Sequence, residues 1–118
     1  MGFGFIIEGA VQEGKLEDLR KALATVADYV KALPGVNCYS LNISADGKTF
    51  KFVEIYDSDE SFASKGDGAD FKPLLEAVLG CIQISGVHAF GEPGPDAKKR
   101  LEAFGTSHME SYGWVHKP

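Results

Sequence analysis

Cysteine is scarce in this chain: two in 118 residues, Cys38 and Cys81, both on apolar segments and without a C-x-x-C spacing. That rules out a disulfide framework and a thiolate metal site, and makes reduced core thiols of a cytoplasmic protein the expectation. Histidine is hardly more abundant. His88, His108 and His116 form no H-x-H or H-x-x-x-H pair, so no structural or catalytic metal is predicted. Basic charge is in deficit, with 12 Lys and Arg against 17 Asp and Glu and a net charge of -5. The densest basic run, Lys98-Lys99-Arg100, is short, has Glu102 beside it and reads as a solvated face, so a nucleic-acid partner is not expected. Apolar runs fall far short of the roughly 18 residues that span a bilayer, and Met1 to Glu8 lacks the basic flank and cleavage site of a secretory leader. Neither a membrane partner nor export is expected. Gly2 and Gly4 precede a strand instead of following one and lack the third glycine of a dinucleotide loop, which removes a nucleotide cofactor.

What is present suits one globular domain able to form a core without staples. Phe3 to Gln12 alternates with period two and predicts a strand. Leu16, Leu19, Leu23, Val26, Val30 and Leu33 then recur at three- and four-residue steps, predicting an amphipathic helix that Pro34-Gly35 stops. Val36 to Ser44 and Thr49 to Asp57 alternate again around Asp46-Gly47, a hairpin signal. Ser58 caps a helix through Phe62 that Gly66 and Gly68 interrupt before a second helical pattern from Phe71 to Leu79. Cys81 to Phe90 predicts a fourth strand, and Gly91 to Pro95 a turn into a short helix over Asp96 to Phe104. Gly105 to Pro118 shows no clear period.

This order is the β-α-β-β-α-β of an α+β ferredoxin-like sandwich, residues 1–94, followed by a C-terminal helix and tail, residues 95–118, packed on the domain or on a partner subunit. Helices cover one face of such a sheet. The other is expected to carry several of Phe50, Phe52, Tyr56 and Ile6 and to need a cover, most simply a second copy of the chain. In the tail, Tyr112-Gly113-Trp114-Val115-His116-Lys117 holds the only tryptophan. It is either a partly ordered terminus or a segment that closes a cavity mouth or meets the second subunit.

The ordered set Leu33-Pro34-Gly35-Val36, Tyr39-Ser40-Leu41, Phe52-Val53-Glu54-Ile55-Tyr56-Asp57, the acid-rich turn into Phe62, and Phe71 resembles the antibiotic biosynthesis monooxygenase-like family of the dimeric α+β barrel superfamily. The resemblance runs from Phe3 to Gly91. It implies homodimers that pair sheet face to sheet face around a cavity on each sheet. It also implies, for some members, oxidation of quinols or polyketide phenols by O₂ with no metal or flavin. Where the family often has a histidine this chain has Lys65, and where a second stands beside the aromatic it has Asp70 before Phe71. The haem-degrading branch is similar to a lesser degree: its Asn on the first strand and its Trp and His on the second helix have no counterpart here. The implied function is a cofactor-independent monooxygenase for a small aromatic or quinol substrate. The alternative is a non-catalytic dimer that binds a small ligand or serves as a structural module, since one fold hosts both.

Oxygenation without a cofactor needs a base for a phenolic or quinol proton and a dry pocket. Glu54 shares parity with Phe50, Phe52 and Tyr56 and is the first candidate base. The other reading makes it a structural carboxylate bonded to a Tyr hydroxyl, a Lys or a backbone amide. His88, read on the parity of Ile82, Ile84 and Phe90, is the second candidate, against a satisfied core or rim histidine. Glu8 alternates with Ile6 and Ala10, pointing either to the same cavity or to solvent. Tyr39 and Tyr56 are candidates to hydrogen-bond a substrate oxygen and Phe52 to wall the ligand; plain strand packing is the competing reading for all three.

Overall fold

The computed structural model describes residues 2–115; His116 and Lys117 of the aromatic tail lie outside the described residues. The elements are β1 (Phe3–Val11), α1 (Leu16–Lys31), β2 (Val36–Ile43), β3 (Thr49–Tyr56), α2 (Asp59–Asp67), α3 (Phe71–Leu79), β4 (Ile82–Gly91), α4 (Pro95–Glu102) and β5 (Ser107–His108). They build one sheet in the order β2-β3-β1-β4-β5. The first four strands are antiparallel in the ferredoxin-like arrangement, and β5 adds a short parallel edge to β4 that the sequence pattern did not announce.

The helices lie on one face. α1 buries Leu19, Leu23, Val26 and Val30, one stripe at helical spacing, with Glu17 and Asp18 in its first turn and Lys31 in its last, as the helix dipole favours. The chain then turns at Gly35, whose φ is +77° and where a side chain would overlap the Ser61 hydroxyl of α2. Ser58 caps α2 by accepting from the Ser61 N–H at 3.2 Å.

Two expectations about strand faces are corrected. Phe50, Phe52 and Tyr56 are not on the bare face; all three are buried under the helices, and Ile6 alone of that set lies on the open side, opposite Val53 and His88. Both faces of β3 are partly apolar, and the aromatic set, with more area to remove from water, turns to the helices. His88 also does not share a face with Ile82 and Ile84. A bulge at Ser85, where pairing jumps from Glu8↔Gly86 to Gly9↔Ile84, reverses the parity of β4 part-way along. Ile82 and Ile84 therefore join the core under the helices, while His88 and Phe90 sit on the open face. Phe90 lies over Gly4, where a side chain would strike its ring, and the Trp114 ring packs against Phe90 at 6.2 Å.

α4 is held from a distance. Asp59, the first residue of α2, accepts from the Gly94 N–H at 2.7 Å and the Ala97 N–H at 3.1 Å, satisfying donors that open α4, while Ala97 and Leu101 bury beneath it. Asp59→Ala is expected to lower stability by about 1–2 kcal/mol through loss of this cap. Urea unfolding measures it, and amide exchange should quicken first in α4.

Candidate functional site

Glu54 pairs with Phe5 on one side and Tyr39 on the other, so the three form a row across the inner face of the sheet. Above this row α2 presents Phe62 and Lys65, three residues apart on one helical face. Phe62 locks that face down by packing on Phe3, Phe5 and Tyr56. Lys65 is thereby carried over Glu54. These are the two charged residues buried among the described residues, each 5% exposed.

The Tyr56 hydroxyl donates to Glu54 Oε1 at 2.5 Å, and Lys65 Nζ lies 3.6 Å from the same oxygen. The ammonium is otherwise surrounded by rings, with Phe71 centred 4.2 Å away and Tyr39 5.3 Å away. Burial pushes the Lys65 ammonium below the usual lysine range, and the Glu54 carboxylate pulls in the opposite direction. Burial first, then the charge of Glu54, holds the Tyr39 and Tyr56 hydroxyls well above the usual tyrosine range. Both phenols stay protonated at neutral pH.

Beside this cluster is a cavity of about 170 Å³ between the sheet and the helices, walled by Phe5, Ile7, Tyr39, Phe71, Leu75 and Val87, with Glu54 and Lys65 on its surface. A smaller lobe of about 60 Å³ shares Tyr39, Glu54, Phe71 and Phe104 and reaches Phe52. Arg100 and Phe104 stand at the edge of the larger lobe. The Arg100 guanidinium donates to both oxygens of Asp67, at 2.9 and 3.0 Å, and to Asp96 at 3.0 Å, which latches α4 to the end of α2. Those bonds hold Asp67 below the usual carboxylate range. Phe104, 48% exposed, follows the latched helix and lines the cavity.

The structure brings together Glu54, Tyr39 and Phe52, and Tyr56 reaches the ligand space only through Glu54. Glu8 and His88 are elsewhere. Their side chains pair at 3.6 Å on the open face, Glu8 41% and His88 40% exposed, with the sheet between them and Glu54. Of the two readings open for each, the solvent side fits Glu8 and the rim histidine fits His88, neither sharing the cavity of Glu54; for His88 the cause is the bulge at Ser85. A hollow of about 980 Å³ near Glu8, Asn42, Lys51 and Ser85 is a broad trough on that polar part of the open face, with no buried charge. The cavity between the sheet and the helices is more enclosed and is the better site. In the sequence, Lys65 stands out only as a departure from the family pattern and Arg100 only as part of a solvated basic run. The readable signal for Lys65 was its three-residue spacing from Phe62.

No protein-family model matches the chain, and no curated protein does. Solved structures do. MupZ from Pseudomonas fluorescens superposes with a TM-score of 0.75 at 13% identity, over 99% of this chain and 90% of that one. A chain from Chloroflexus aurantiacus J-10-fl, provisionally named an antibiotic biosynthesis monooxygenase, gives 0.66 at 18% identity over 80% and 95%. SnoaB, a cofactor-independent oxygenase from Streptomyces nogalater, gives 0.65 at 13% over 78% and 94%. The chain has the antibiotic biosynthesis monooxygenase fold. At these identities the likeness is one of backbone. Among the described residues no three His, Cys, Asp or Glu converge as a metal site would require, and no helix is long and apolar enough to cross a membrane.

The buried phenols set an alkaline limit. In the unfolded chain Tyr39 and Tyr56 ionise near 10.0, whereas the folded protein keeps them protonated above that pH. The native state then binds more protons than the unfolded state, so stability is full below about pH 10 and is lost as pH rises further. Lys65, shifted down, acts in the opposite sense below its free-chain value of 10.5. The urea midpoint is expected to fall above about pH 10, and Tyr56→Phe should flatten that fall.

Proposed function

We propose that the protein is a cofactor-independent monooxygenase for a small aromatic or quinol substrate, with Glu54 as the base. The observation that carries this reading is an aromatic-walled cavity of about 170 Å³ between the sheet and the helices with one carboxylate on its wall. An apolar cavity of about 150 Å³ takes up benzene, so a single ring fits here, and a larger polycycle requires Phe104 to swing out. Glu54 takes the phenolic or quinol proton. The resulting anion passes one electron to O₂, the two radicals combine in a C–O bond, Glu54 returns its proton to the peroxide anion, and the hydroperoxide loses water with the hydrogen of the same carbon to leave a carbonyl or quinone. No added metal or flavin is required. Glu54→Gln, which keeps the shape, should lower oxygen uptake with a hydroquinone in the presence of chelator by about two to four orders of magnitude. Unchanged uptake in a folded variant sinks the role of Glu54.

One observation favours a second reading. Glu54 already holds the Tyr56 hydroxyl and pairs with Lys65, as a structural carboxylate would. On that reading the cavity binds a ligand without turning it over.

The assembly we propose is a cytoplasmic homodimer through the open sheet face. Supporting it, Ile6, Val53, Ile55 and Phe90 lie partly exposed there with no helix over them among the described residues, and both cysteines are free thiols. Sedimentation at micromolar protein should show a dimer, and Val53→Glu should shift it to monomer. A wild-type monomer at that concentration removes the dimer.

A further inference from the structure

Proton abstraction by Glu54 leaves Lys65 without a task, yet Lys65 is the unusual residue of this core. We propose that Lys65 is a counter-ion shared between Glu54 and the ligand, so that the cavity selects small arenes and enols bearing an acidic hydroxyl. When the hydroxyl proton moves to Glu54, the ligand's ionised oxygen replaces the carboxylate as the partner of the ammonium. This inference rests on the reading of the cavity as a ligand site.

The ammonium has three N–H donors and little to bond them to. Its ion-pair partner among the described residues, Glu54 Oε1, is 3.6 Å away, longer than a direct N–H···O bond, and that oxygen already accepts from Tyr56. The remaining neighbours are ring faces: Phe71, Tyr39, Tyr56 and Phe62 are centred 4.2, 5.3, 5.6 and 5.9 Å away. Rings attract a cation but leave its donors unbonded. No side-chain nitrogen or oxygen among the described residues is both sealed off and unbonded. The spare donors of Lys65 therefore open on the cavity whose wall it forms.

Charge bookkeeping supports the exchange. Before transfer the site holds a carboxylate, an ammonium and a neutral ligand; afterwards it holds a carboxylic acid, the same ammonium and a ligand anion. One proton moves from the ligand oxygen to a Glu54 oxygen, the O–H bond of the ligand breaks and that of Glu54 forms, and no net charge appears in the apolar cavity. An unpaired anion there would be strongly disfavoured. No other group facing the cavity competes. β1 contributes Phe5 and Ile7, α3 contributes Phe71 and Leu75, and Tyr39 stays protonated. Arg100 at the edge is already held by Asp67 and Asp96.

The test uses binding, with no turnover. The probes are 4-nitrophenol, whose ionised form is coloured, and 4-nitroanisole, which has the same frame and no acidic proton. Both are titrated at a pH that leaves the free phenol half ionised. Glu54→Gln strips Lys65 of its carboxylate, so it should bind the nitrophenolate about tenfold more tightly than wild type, the worth of a charged hydrogen bond. A structural ion pair predicts no such gain. Lys65→Met should lose the coloured bound form. Because that change strands Glu54, the double variant Glu54→Gln/Lys65→Met, which leaves no buried charge, is the control. It should still bind 4-nitroanisole and show no preference for the phenolate. Equal binding of both probes by wild type and Glu54→Gln, or a phenolate preference surviving in the double variant, overturns the counter-ion role and leaves the cavity standing. If neither probe binds wild type, the cavity reading falls and this inference with it.

Discussion

A carboxylate and an ammonium 3.6 Å apart, both withdrawn from water between a sheet and a helix, constrain the rest of this molecule. Removing one partner of such a pair strands a buried charge and costs about 3–5 kcal/mol, whereas apolar side chains of the same volume would hold the layers together at least as well. The pair is thus a poor device for stability. It brings a proton acceptor and a positive charge to the wall of a cavity whose other residues are largely rings and aliphatic groups.

The surrounding elements can be understood as the means of placing that pair. Glu54 needs only the alternation of β3 to face inward with Phe52 and Tyr56. Lys65 needs a helix in the right phase, and three local features set it: the Ser58 cap, the Phe62 ring packed between Phe3, Phe5 and Tyr56, and the close approach of Gly35 to Ser61. Asp59 and Asp67, at the two ends of α2, then fasten α4 through its backbone N–H groups and through Arg100. One helix therefore carries both the cation of the site and the anchors of the element that borders its mouth.

The sheet separates two sets of ionisable groups. Glu54 and Lys65 lie beneath the helices; Glu8 and His88 form a half-exposed pair on the far face. A single extra residue in β4, Ser85, produces much of that division by sending Ile84 and His88 to opposite faces. The open face combines this polar pair with Ile6, Val53, Ile55 and Phe90, and Trp114 of the tail covers part of it.

Much of the architecture was legible in the chain because it is local. Period-two and period-3.6 runs, the Ser58 cap and the Asp46-Gly47 turn settle which segments become strands or helices; of the two glycines expected to interrupt the second helix, Gly68 marks the break between α2 and α3, while Gly66 stays inside α2. The parity of β3 likewise puts Glu54 with Phe50, Phe52 and Tyr56 before any folding is considered. Which face those residues turn to, and what stands opposite them, is not local. β3 is partly apolar on both sides, so only the packing of α1, α2 and α3 chose the aromatic face as the inner one. The bulge in β4 arises from pairing with β1 and leaves no mark in a strand read alone, which is why His88 and Ile84 looked equivalent. Lys65 and Glu54 are separated by eleven positions and two kinds of secondary structure, so their pairing exists only after α2 docks. Sequence alone determined the elements and the candidate base; tertiary structure decided its partner, because burial and distance are properties of the folded chain.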